Sequence, residues 1–192
     1  MSKFNKIYNQ ILFVESPQYY DAKFNEDMQN LEINAKRAQK TIEDSEKIDS
    51  FQERDVYKRF YFGDPDRYTY VFIKNGIIDT EVEISVKKMY DFSLGVWQRN
   101  TLDNKGFARS VFLIFLPKYH NAVVSDTVAN KLGKEFWKKL LDDAVSRGYK
   151  VTVLEKQKER IYNPRDFDSF WKGSIVDDSS VMPGEKLFKI TY

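Results

Sequence analysis

The sequence predicts an α/β (α+β) fold: one domain on a mixed, mostly antiparallel sheet, with a strand–helix–strand crossover and a long N-terminal helical segment. Three observations predict it. From 56 to 116 apolar positions recur mostly at every second residue, as on strands with two unlike faces. From 122 to 154 an apolar run, a four-step helical pattern and a second apolar run follow one another. From 17 to 47 the period is that of a helix.

The first segment, residues 3–14, is open to two readings. Phe4, Ile7, Tyr8, Ile11 and Leu12 fit a helix behind Ser2, whereas Ile11 to Val14 also suit a short buried strand. Ser16 is then a cap and Pro17 a first helical residue. Tyr20, Phe24, Met28, Leu31, Ala35, Ala38 and Ile42 step by four and three, a narrow seam on a helix of about 25–30 residues, with a break near Asp44 into a second short turn. Such a seam lies across a sheet or meets a partner helix, a homodimer included.

Strands follow at Val56 to Phe62 and Tyr68 to Ile73, joined by the turn Gly63-Asp64-Pro65-Asp66. Asn75-Gly76 signals a type I′ hairpin. Ile78, Thr80, Val82, Ile84 and Val86 alternate with Asp79, Glu81, Glu83, Ser85 and Lys87, so the next strand is expected to have one wet face. Tyr90, Phe92, Leu94 and Val96 make another. After the turn Asp103 to Gly106, the run Phe107 to Leu116 is apolar on both faces from Val111 and is expected as a central strand ended by Pro117.

The crossover begins with Ala122-Val123-Val124. Ser125, Asp126 and Thr127 offer N-cap oxygens to a helix expected from about Thr127 to Arg147. Leu132, Phe136, Leu140 and Ala144 line one side of it, with Trp137 and Leu141 beside them, and Gly148 suits the left-handed residue that stops a helix. Tyr149 to Leu154 is expected as a strand parallel to 107–116, through a right-handed connection. The segment 155–192 carries a short helix capped by Asn163 before Pro164, with Phe167, Phe170 and Trp171 on one side. A polar loop from Asp177 to Gly184 and a closing strand through Leu187, Phe188 and Ile190 complete it.

Composition narrows the function. Thirty-one basic residues against twenty-nine acidic ones leave no net field to draw in nucleic acid or an anionic membrane. The absence of cysteine removes disulfides, thiolate ligands and a cysteine nucleophile, and a single histidine makes a zinc site improbable, so no metal is expected. No apolar run approaches the roughly 18 residues of a membrane span and no signal peptide is apparent, so a soluble, cytoplasmic protein is expected.

This order of elements resembles the GNAT-type acyltransferase fold from about Ile11 to Tyr192. In that family a central strand leads to a helix N-terminus whose free amides hold the pyrophosphate of acyl-CoA. The family's turn, Arg or Gln, two residues, Gly, one residue, then Gly or Ala, is met here by Asn130, Gly133 and Glu135. Its last helix opens on Asn, here Asn163, and carries a Tyr that protonates the departing thiolate. Phe170-Trp171 stand near that position, and Tyr162 is the available phenol. The start at Ser125-Asp126, with Thr127, Gly133 and Trp137 behind it, is also similar to divergent GNAT-like proteins of bacteriophages.

The resemblance implies transfer of an acyl group from acetyl-CoA or another acyl-CoA to an amine. It places the cofactor on Ser125, Thr127, Val128, Ala129, Asn130 and Gly133, with Tyr162, His120 and Asp126 as catalytic groups. Each has a plainer reading beside it: His120 as a surface turn residue, Asp126 as a cap, and Glu81 and Glu83, which would sit near the acyl group, as a solvated face. Lys131, Lys134, Lys138 and Lys139 likewise make either a phosphate-facing or a merely solvated helix side. The alternative function is a non-catalytic GNAT-like interaction or inhibitor protein, a phage or bacterial accessory. Its protein partner would meet the 17–47 helix or the aromatic surface.

Overall fold

A computed structural model describes residues 30–87, 90–97, 106–125, 131–155, 158–171 and 186–192. The readings made for residues 3–14, 16–28 and 177–184, and for the turn before Gly106, lie outside them. The fold is α+β, with two antiparallel sheets and several helices. Helix α1 (Leu31–Asp44) precedes a five-stranded meander in sequence order: β1 (Glu46–Phe51), β2 (Arg54–Tyr61), β3 (Asp64–Lys74), β4 (Ile77–Lys87) and β5 (Tyr90–Trp97). Strand β1 replaces the second helical turn expected after Asp44, because the chain leaves the helix extended at Ser45. Asn75 and Gly76, with φ of 53° and 74°, make the type I′ hairpin that joins β3 to β4.

Helix α1 lies on the meander with an orientation its seam did not announce. Asn30 caps it, accepting from the amides of Glu32 and Ile33. The residues it buries are Asn34, Ala38 and Thr41, whereas Leu31, Ile33, Ala35 and Ile42 are exposed. Asn34 explains the rotation. Its Oδ1 accepts from the Ile78 amide at 2.8 Å and its Nδ2 donates to the Ile78 carbonyl at 3.0 Å. The register of β3 and β4 slips there, from Phe72 opposite Thr80 to Ile73 opposite Ile78. A buried amide and carbonyl need partners, and Asn supplies both from one side chain.

The largest correction concerns residues 107–116, which form no strand. They run through α2 (Phe107–Ser110), a π-helical segment (Val111–Phe115) and a 3₁₀ turn (Leu116–Lys118). Val111, Phe112, Leu113, Phe115 and Leu116 are buried within a core that draws on both sheets. A run that is apolar all round fits a buried helix as well as a central strand, and periodicity does not separate the two. Pro117 shapes the helical end. It has no N–H for the carbonyl of Leu113 four residues back, or of Phe112 five back. Two tyrosines supply the donors instead: Tyr149 Oη lies 2.9 Å from the Leu113 carbonyl and Tyr192 Oη 2.7 Å from that of Phe112.

The second sheet contains β6 (Ala122–Val124), β7 (Lys150–Glu155), β8 (Lys158–Ile161) and β9 (Lys186–Thr191), in the order β6-β9-β7-β8. Strand β7 is not parallel to a neighbour as expected, since β8 and β9 both run antiparallel to it. Because β6 is also antiparallel to β9, β6 and β7 run parallel to each other with β9 between them. The crossover exists, but its two strands are split by the last one in the sequence. Helix α3 (Lys131–Ser146) connects them and stops as expected, with Gly148 at φ 83°. Trp137, Leu140, Leu141 and Ala144 are buried, and the Trp137 ring stacks on Phe188 at 6.3 Å. Asn163 accepts from the Arg165 amide and opens a 3₁₀ turn (Pro164–Asp166) into α4 (Phe167–Trp171).

Candidate functional site

Ser125 follows β6 directly. Its amide donates to the Phe188 carbonyl at 2.7 Å and its Oγ accepts from the Phe188 amide at 2.8 Å. The hydroxyl thus extends the pairing of β6 with β9 by one residue and is buried there. Asp126, Thr127, Val128, Ala129 and Asn130 lie outside the described residues, and Gly133 is in the first turn of α3. Tyr162 is buried against the other side of β9. Its ring meets Phe188 edge-on at 6.1 Å and its hydroxyl donates to Asp142 at 3.3 Å. Burial, then the Asp142 carboxylate, pushes its pKa above the usual phenol range.

His120 is not a surface residue. It is 8% exposed, with its Nε2 3.0 Å from the Tyr70 hydroxyl, its ring stacked on Tyr68 at 6.4 Å and edge-on to Tyr70 at 5.8 Å. Burial, with nearby Lys58 adding repulsion, lowers its pKa to about 4. At neutral pH the imidazole is therefore uncharged and only weakly basic. The turn rises to this position because the Tyr119 and His120 amides both donate to the Leu116 carbonyl. The described contacts thus bring Ser125 and Tyr162 to Phe188, and His120 to the tyrosines of β3.

A charged constellation under α1 went unread in the sequence. Glu81, expected on a wet face, is 4% exposed and paired with Arg37 at 3.4 Å and Arg59 at 3.2 Å. Glu83 accepts from Arg67 and from the Tyr61 hydroxyl. The wet face is in fact covered by α1 and by arginines from neighbouring strands. The signal was present in parity, since Arg59 and Tyr61 share one face of β2 just as Glu81 and Glu83 share one face of β4. On α3 two of the lysines are similarly committed: Lys134 pairs with Asp168 at 2.6 Å and Lys138 with Asp142 at 2.8 Å.

Among the described residues no group of three or more His, Asp or Glu is arranged to hold a metal, and no helix is long and apolar enough to cross a membrane. No protein-family model and no curated protein sequence matches the chain.

Proposed function

We propose that the protein is a non-catalytic interaction module that receives a second protein chain on the exposed flank of α1 formed by Leu31, Ala35 and Ile42. One observation carries this reading. The helix turns Asn34 and Thr41 towards the sheet and leaves Leu31, which is 58% exposed, with Ala35 and Ile42 on one flank in solvent, Ile33 lying exposed on the other flank. Apolar side chains left in solvent at i, i+4 and i+11 on one flank suit helix-in-groove recognition. A photoreactive side chain placed at Ala35 should yield one defined adduct, either with another copy or with a partner protein. The adduct should vanish when Leu31 and Ile42 are both changed to Glu. No adduct at Ala35 would end the reading.

Acyl transfer from acyl-CoA is the second reading, favoured by the parallel β6 and β7 joined through α3. Against it stands the burial of Tyr162 against Phe188 and of His120 against Tyr68 and Tyr70, which keeps both side chains in the packing of the sheets. Calorimetry with millimolar acetyl-CoA separates the two. No heat of binding is expected, and a saturable signal would restore the enzyme.

A further inference from the structure

The face of the meander opposite α1 carries a half-buried ammonium, that of Lys58 on β2. Its Nζ lies 4.1 Å from the Tyr68 ring centroid and 4.9 Å from that of Phe60. Among the described residues no carboxylate pairs with it, although Glu46 faces it across β1 and β2. A ring face attracts an ammonium without cancelling its charge. Phe60 is 54% exposed and tilted against Tyr68 at 5.7 Å. Tyr68 rests in turn on His120, which Tyr70 holds. The floor is thus a fixed stack of rings, open at Phe60 and positive at Lys58.

We propose that Lys58, Phe60 and Tyr68 form a binding site for an aromatic anion, a planar ring bearing a carboxylate or a phosphate. The ring extends the stack over the exposed part of Phe60, and the acid group meets Lys58. Each half of the ligand answers one half of the site. A neutral ring leaves the ammonium unmet, and an inorganic anion leaves Phe60 bare. A cationic ligand meets repulsion from Lys58.

His120, the only histidine, gives a single imidazole reporter beside the site. The experiment follows its Cε1–H resonance in the full chain during titration with phenyl phosphate, benzoate, inorganic phosphate and benzyl alcohol. Phenyl phosphate or benzoate should give saturable shifts, and whichever binds tighter identifies the acid group. Inorganic phosphate and benzyl alcohol should bind about tenfold more weakly or worse. Because Lys58 adds its repulsion to the lowering of the His120 pKa by burial, a bound anion that offsets that charge should also raise the imidazole titration midpoint above about 4. Lys58→Gln should weaken the aromatic anion about tenfold, and Glu46→Gln should tighten it. Phe60→Ala should erase the advantage of phenyl phosphate over inorganic phosphate while near-ultraviolet dichroism shows the fold kept. Unchanged affinity in Lys58→Gln, equal binding of benzyl alcohol, or no saturable shift at about 20 mM ligand would each overturn the proposal.

Discussion

His120 couples folding to acid. Its pKa falls from 6.5 to about 4 on burial, so between those values the unfolded chain binds more protons than the native one. Stability from this group is complete above about pH 6.5 and gone below about pH 4, a difference of about 3 kcal/mol. Urea unfolding at neutral and mildly acidic pH should show that loss in the wild type, and a smaller one in His120→Gln. Equal losses would remove His120 from the account. A second residue-scale expectation concerns Arg54 and Asp79, a buried pair at 2.8 Å with the guanidinium 3.8 Å over the Phe107 ring. One oxygen of Asp79, Oδ1, has no hydrogen-bond partner among the described residues. Asp79→Ala should cost about 3–5 kcal/mol by stranding the arginine, and adding Arg54→Met should recover part of the loss. A double-mutant cycle by denaturation checks it, and additive losses would contradict it.

At the scale of elements, α3 holds its sheet through Trp137, which touches Phe112 as well as Phe188. Trp137→Ala should cost about 3–5 kcal/mol in thermal or chemical unfolding. The π-helical segment depends on hydroxyls from elsewhere, so Tyr192→Phe should cost about 1–3 kcal/mol by leaving the Phe112 carbonyl unpaired. No change in midpoint would mean that water reaches that carbonyl. These two elements show what could be read in advance. Helix α3 was legible because its seam and Gly148 are local signals. Residues 107–116 were not, since a run that is apolar on nearly every side, with Ile114 itself exposed, carries no period that separates helix from strand. The rotation of α1 was hidden for another reason: Asn34 answers a need created at Ile78, 44 positions away in the sequence. The same holds for the candidate site, where Tyr162 and His120 could be named as ionisable but their burial depended on β9 and β3.

At the scale of the molecule, one apolar core joins residues of both sheets with Phe107, Val111, Phe112, Leu113, Phe115 and Leu116. Strand β9 carries a consequence for the order of events. It sits between β6 and β7, yet the ribosome makes it after both. Until it arrives, β6 and β7 each expose an edge, separated by a strand-wide gap, with Ser125 and Phe188 unable to meet. A nascent chain in this state displays open edges to every neighbouring polypeptide. A chain stopped before Lys186 should therefore remain bound to chaperones or aggregate, and a separate peptide spanning 186–192 should rescue it if added early. The last strand is in that sense a bolt, and the interval before it slides home is when this protein is most exposed to misassembly.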